Sequence, residues 1–250
     1  LLAFVAEHRI VLAAHVQALI GASDTVTYGR LRALTKAGLL EHSRVLHGEP
    51  GWYQITRGGL AMIGSDLPSP RLDLRCYAHD IGVAWLWLAA SRGAFGPVER
   101  MVSEREMRSH DGRHDASPRE GGSPFGIPLG GVGPRGRDRL HYPDLLLVGG
   151  TGERVAIELE LSAKGARRLE TILLGYAADR RISAVLYLAE KPAIRREVRA
   201  AAARLGVSDL VHVQSVAWPA TSARDRAAER TAARAPLGRQ RPVTREAIAR

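Results

Sequence analysis

The stretch from Tyr142 to Lys164, YPDLLLVGGTGERVAIELELSAK, constrains the fold more than any other part of the chain. Leu145 to Val148 is an unbroken apolar run, long enough for one buried strand. Gly149, Gly150 and Gly152 then permit a tight turn, because Gly takes positive φ at no steric cost. From Arg154 to Leu161 the side chains alternate. Val155, Ile157, Leu159 and Leu161 point one way; Ala156, Glu158 and Glu160 point the other. The apolar set faces a core, so the two carboxylates project together from the opposite face. Asp144 stands just before the paired strand, near them. Three crowded carboxylates repel one another and lose solvation. A cation relieves both, and an oxygen-rich site suits Mg²⁺ or Mn²⁺.

Lys164 extends the pattern. It follows Ser162, a good N-cap, at the start of an amphipathic helix marked by Ala166, Leu169, Ile172, Leu173 and Tyr176. Arg167 and Arg168 fall in the same first turn, where cations oppose the helix dipole. A bound phosphate explains them, since helix N-termini and Arg both favour it. The plainer alternative is a solvated strand face on which Glu158 and Glu160 pair with these cations.

Pro143-Asp144 followed by Glu158-Leu159-Glu160 resembles the core of the PD-(D/E)xK nucleases. The resemblance implies a metal-dependent phosphodiesterase in which Asp144 and Glu158 bind the metal and Glu160 and Lys164 complete the catalytic set. Glu160 stands where that family usually has Lys, and Lys164 is positioned to supply the displaced ammonium. The resemblance also makes Asp80, near the start of an earlier helix, a third metal ligand. An Asp there is equally favourable to the helix dipole alone. Glu104 and Glu106 are alternative acidic partners, on what reads as a solvated surface.

The 250 residues suit one large or two small domains, and 45% hydrophobic content allows a proper core. Lys and Arg number 36 against 26 Asp and Glu, a net charge of +10. That excess points to a polyanionic partner, most often nucleic acid and less often an anionic membrane surface; with the winged-helix reading below, the partner expected is double-stranded DNA. The single cysteine, Cys76, excludes an internal disulfide framework and a multi-cysteine zinc site, and fits a reducing cytoplasm. No signal peptide is evident, and the longest apolar run, Ile81 to Ala90, is too short to span a membrane. The sequence opens on Leu1 rather than Met and reads as a fragment with residues upstream.

Residues 1–65 read as a winged helix-turn-helix. A helix is expected over His8 to Ile20, stopped by Gly21, then a second to about Ala37, stopped by Gly38. Tyr28, Arg32 and Lys36 recur every fourth residue and share an outer face suited to the major groove and its phosphates. Arg30 and Arg44 add to the DNA-binding set. Leu39 to Leu46 and Gly51 to Ile55 form the wing, and a short helix follows at Leu60 to Ile63. The Lys-Ala-Gly-Leu-Leu and Tyr-Gln-Ile-Thr-Arg-Gly-Gly stretches resemble bacterial winged-helix DNA-binding domains. The alternative is a winged helix used for protein contact.

Residues 66–73 contain Pro68 and Pro70 and read as a linker. A helix from Leu74 to Arg92 has Trp87 and Leu86 off its apolar face, so it is buried on more than one side. His79 in it reads as a hydrogen-bonded core residue. A strand at Val98 to Ser103 follows. Residues 108–139 lose hydrophobic period and read as a flexible insertion, a poor cage for a metal despite His110, Asp111, His114 and Asp115. Arg135, Arg137 and Arg139 are there to touch a DNA backbone. After the central stretch come a helix, a strand at Ile182 to Ala189, a helix at Ala193 to Leu205 and a strand at Leu210 to Gln214. The class is mixed α/β (α+β), with residues 74–216 matching the αβββαβ order of the nuclease superfamily around a central mixed sheet. Residues 217–250 form a basic, disordered tail, with eight Arg against three acids over 224–250.

A winged helix joined to this core, with VAIELELSAKGARRLE before Gly-Tyr, resembles the bacterial replication-relaxation family. The resemblance implies work near plasmid DNA, in replication or mobilisation, with a homodimer and plasmid replication or transfer proteins as further partners. It leaves two functions open: a Mg²⁺-dependent endonuclease guided by the winged helix, or a catalytically inactive DNA-binding factor or transcriptional regulator on the same scaffold. A ligand-sensing repressor is a third reading, favoured by an apolar pocket near Trp85 and Trp87 with dispersed carboxylates.

Overall fold

The computed structural model describes residues 1–114, 123–133, 136 and 138–218. The first elements are α1 (Leu2–Glu7), β1 (Val11–Leu12), α2 (Ala13–Ile20), α3 (Asp24–Lys36), β2 (Leu40–Ser43), β3 (Trp52–Ile55) and α4 (Arg57–Met62). The helix expected over His8 to Ile20 begins only at Ala13. Val11 and Leu12 instead pair antiparallel with Tyr53 and Trp52, completing a β1-β3-β2 sheet. His15 fixes the change of direction, because its Nδ1 accepts the Leu12 N–H at 3.0 Å. Gly21 ends α2 in the left-handed region with φ 61°, where a residue with Cβ is strained. Thr56 caps α4, accepting from the Gly59 N–H at 3.0 Å.

A turn of 3₁₀ helix at Leu74–Cys76 leads into α5 (Tyr77–Ser91). This helix is shared between two cores. Ala84 and Leu88 pack with Val5, Val16, Leu31, Leu40 and Ile55 of the N-terminal elements. Leu86 and Ala90 pack against Leu145, Leu147, Ile157 and Leu159. Those leucines belong to a five-stranded mixed sheet of β4 (Arg100–Ser103), β7 (Leu145–Val148), β8 (Arg154–Leu159), β9 (Ala184–Leu188) and β10 (Val211–Gln214). Its order is β10-β9-β8-β7-β4, parallel across β8-β9-β10 and antiparallel across β8-β7-β4. The glycine turn forms as expected, with Gly152 at φ 84° between β7 and β8.

The other face of the sheet is also covered. Helices α7 (Ala166–Ala178) and α8 (Pro192–Leu205) supply Ile172, Leu173, Tyr176, Ile194 and Val198 to a core with Ala156, Val185 and Tyr187. The alternation in β8 therefore separates two buried faces. Glu158 and Glu160 are only 2% and 5% exposed, so the face is not solvated, although Glu160 does pair with Lys164 as that alternative expected. Helix α7 starts after Gly165, so Ser162 is not its N-cap and Lys164 lies in the connection before it.

The segment read as lacking period carries α6 (Glu104–His114) and an antiparallel hairpin of β5 (Ile127–Val132) and β6 (Asp138–His141). The buried positions of this helix, Arg105, Met107 and Asp111, are mostly polar, so its sequence carries no apolar period. Arg105 donates to the carbonyls of Ala6 and Pro68, and to that of His8 at 3.1 Å, so it binds the N-terminal elements to the sheet domain. Asp111 accepts from the Gly126 N–H at 2.8 Å and anchors the hairpin. The hairpin lies on α7 at Gly175, where a Cβ would stand 3.0 Å from the Pro128 carbonyl. The side chain of His114, Asp115, Arg135, Arg137 and residues 219–250 lie outside the described residues. Among the described residues no helix is long and apolar enough to cross a membrane.

Candidate functional site: a carboxylate cluster and a basic concavity

Asp144, Glu158, Glu160 and Lys164 come together at the edge where β8 and β9 end. Asp144 ties its strand to β8, because its Oδ2 accepts the Leu159 N–H at 2.7 Å. Glu158 lies beside Tyr187 in the β8–β9 register. Its Oε1 contacts His141 Nε2 at 2.6 Å and accepts the Tyr176 hydroxyl. Glu160 follows the strand, its N–H donating to the Leu188 carbonyl at 2.9 Å, and its carboxylate pairs with Lys164 Nζ. The ammonium thus turns into the carboxylates, with the Tyr187 ring 6.0 Å away.

Each carboxylate has a basic side chain beside it. His79 Nε2 stands 3.2 Å from Asp144. Burial works against charge on His79, but Asp144 and Asp80 outweigh it and push its pKa up to about 11. Burial likewise opposes ionisation of Glu158, yet His141, Lys164 and the Tyr176 hydroxyl hold it below the usual carboxylate value. Glu160 is pushed up by burial, which Lys164 offsets only in part. Lys164 is raised because Glu158, Glu160 and Asp144 outweigh its own burial.

Asp80 is oriented differently. Its Oδ1 pairs with Arg9 at 3.2 Å, and Arg9 also reaches Glu104 at 2.6 Å. This joins β1 to α5 and α6, and His79 links it to the cluster, with Nδ1 3.8 Å from Asp80. Glu104 is therefore a structural partner rather than a solvated one; Glu106 pairs with Arg100. His141, Tyr176 and Tyr187 were not picked out as site residues from the sequence. One signal was present: His141 lies three residues before Asp144. Tyr187 could be found only from the strand register.

A divalent cation fits the donor chemistry. Among the described residues Asp144 Oδ1, Glu158 Oε2 and Glu160 Oε1 accept no hydrogen bond, and all are hard oxygens. No group of three or more His, Cys, Asp or Glu among the described residues is arranged to hold a metal by itself. Mg²⁺ needs fewer protein ligands, because it is commonly held by one or two carboxylates together with waters and substrate phosphates.

The second feature is a concavity of about 860 Å³ between α3 and the β2–β3 hairpin. Tyr28, Arg32, Thr35 and Lys36 line it from the helix and His42 and Arg44 from the hairpin, with no Asp or Glu in its wall among the described residues. Arg30 is exposed on α3 but outside this wall. Leu12 to Ala14 form its base. Arg167 and Arg168 are exposed at the start of α7 and meet no carboxylate among the described residues. A smaller, apolar pocket of about 310 Å³ lies by Trp85 and Trp218, but Trp87 does not line it. Comparison with protein-family models, curated proteins and solved structures finds no match.

Proposed function

We propose that this is a double-stranded DNA-binding protein in which a winged helix-turn-helix positions the duplex for a PD-(D/E)xK-like, Mg²⁺-dependent endonuclease centre. The observation that carries the reading is the gathering of Asp144, Glu158, Glu160 and Lys164 at one sheet edge, in a chain that also has a basic concavity lined by no acid among the described residues. Tyr28, Arg32, Lys36 and Arg44 contact the groove and its phosphates. Asp144 and Glu158 are the residues that would hold Mg²⁺ or Mn²⁺, which supplies an activated water and charge neutralisation at the phosphate. Lys164 orients the scissile phosphate by its charge, and Arg167 and Arg168 hold the next one along. Asp80 stays with Arg9 and sets the joint between the modules. The plasmid setting rests on the likeness of VAIELELSAKGARRLE to the replication-relaxation family.

A second reading is a DNA-binding factor that has lost catalysis. Its support is the internal pairing of Glu160 with Lys164 and of Glu158 with His141 and Tyr176. Labelled duplex binding by wild type, Arg32→Gln/Lys36→Gln and Asp144→Ala tests the common part. The reading expects weakened binding in the first variant and retained binding in the second. Equal binding by all three would remove the concavity from the account.

A further inference from the structure

The reading above leaves unused a row of cations along α8. Lys191, just before the helix, Arg195 and Arg199 recur every fourth residue, Arg195 half-buried and the other two exposed, and the exposed Arg196 lies beside them. Helix α8 packs alongside α7, and Arg204 on α8 pairs with Glu170 on α7 at 2.8 Å. Lys191 follows Leu188 by three residues, and it is the Leu188 carbonyl that receives the Glu160 N–H. The stripe therefore begins at the cluster's own edge of the sheet and runs away from it.

These cations keep their charge unspent. Arg195 donates to the carbonyls of Ala189, at 2.8 Å, and Glu190. Arg199 donates to the Val213 carbonyl at 2.7 Å. Carbonyls orient a guanidinium without neutralising it. Lys191 and Arg196 meet no acceptor among the described residues. The two acids in this segment, Glu190 and Glu197, pair with none of them among the described residues. By contrast Arg181 and Arg204, elsewhere on the same side, each pair with an acid. A solvated helix face would gain from such pairs, so their lack marks this stripe out for an external polyanion.

We propose that α8 carries a second phosphate-backbone contact, formed by Lys191, Arg195, Arg196 and Arg199. It rests on the DNA-binding reading above and extends the duplex footprint past the carboxylate cluster. Lys191 to Arg199 covers about 12 Å of helix, comparable to three or four phosphates of one strand at 3.4 Å along the duplex axis. The contact reads no bases; it fixes the path of the strand beyond the cluster.

The test uses the full chain and a labelled 30-base-pair duplex, with binding followed by anisotropy from about 50 to 200 mM salt. Lys191→Gln/Arg196→Gln should fold normally, since neither side chain holds another residue. Its plot of log affinity against log salt should be shallower than wild type by about 1.8, for two lost phosphate contacts. Arg32→Gln/Lys36→Gln should lose a similar amount, and the four-fold variant the sum. An unchanged slope in Lys191→Gln/Arg196→Gln beside a reduced one in Arg32→Gln/Lys36→Gln overturns the α8 contact and leaves the DNA-binding reading standing. Absence of salt-dependent binding by wild type overturns both. Binding to phosphatidylserine vesicles that is lost in Lys191→Gln/Arg196→Gln, with an unchanged DNA slope, overturns the proposal in favour of a membrane surface.

Discussion

Replacing Lys164 with Met keeps the length and apolar stem of the side chain and removes its charge. In the wild type the ammonium pairs with Glu160 and is raised in pKa by Glu158, Glu160 and Asp144 against the effect of its own burial. Without it Glu160 is a buried carboxylate beside two others. Breaking a buried pair by removing one partner costs about 3–5 kcal/mol. The Lys164 side chain keeps 20% exposure, so water screens part of the loss and the low end, about 3 kcal/mol at neutral pH, is expected. The pH dependence has a definite sign. Glu160 already titrates above its ordinary 4.5 in the folded state because of burial, and loss of Lys164 raises it further. A carboxyl raised in this way favours the folded state below pH 4.5 and loses that advantage as pH rises through the folded value. The cost of Lys164→Met is therefore smallest near pH 4.5 and grows toward pH 7. Urea unfolding in EDTA at several pH values reads it directly. Mg²⁺ should then recover stability in the variant, by about 2.7 kcal/mol at a hundred times its dissociation constant. A cost that is the same at pH 5 and 7, or no recovery with Mg²⁺ or Mn²⁺, would refute the view of these carboxylates as a cation-neutralised site.

Other consequences follow from the same structure. Burial drops the His15 pKa to about 3 and lowers His8 well below its ordinary value. Groups depressed in this way contribute stability above pH 6.5 and lose it as pH falls, each by about 1.4 kcal/mol per unit; His15→Gln should flatten the urea midpoint between pH 6 and 5 by one such slope. Arg105→Met strands three carbonyls, of Ala6, His8 and Pro68. It should cost about 3 kcal/mol or more and expose residues 66–73 to limited proteolysis. In Gly59→Ala the new Cβ would meet the Leu39 carbonyl at 2.2 Å, for a loss of about 1–3 kcal/mol by thermal unfolding. Gly29→Ala on α3 meets nothing within 4 Å and should gain about 1 kcal/mol.

The central hairpin was legible because a continuous apolar run, a glycine turn and a strict alternation each name one structure. Helix α5 was legible from its length, and Leu86 and Trp87 correctly signalled burial on two sides. The failures share a physical cause: tertiary contacts replaced local ones. Val11 and Leu12 continue a helical pattern, yet pairing with β3 and the His15 acceptor draw them into a strand. Helix α6 buries Arg105 and Asp111, which satisfy backbone groups elsewhere, so its inward face has no apolar period. In β8 the alternation gave the right pairing of side chains to faces, but which faces are covered depends on where α5, α7 and α8 dock. The partners of the carboxylates, His79, His141 and Tyr176, come from three elements or their ends and meet only in the folded chain. Asp80 shows the converse, since a plausible metal ligand by position is held by Arg9.

The most direct measurement is cleavage of supercoiled and linear DNA in Mg²⁺, Mn²⁺ or EDTA by wild type, Asp144→Ala and Glu158→Ala. The account predicts nicking or cleavage that needs the metal and is lost in both variants while duplex binding persists. Tight, salt-sensitive binding with no cleavage in any metal, and no difference between wild type and variants, would contradict the nuclease centre and leave a DNA-binding factor.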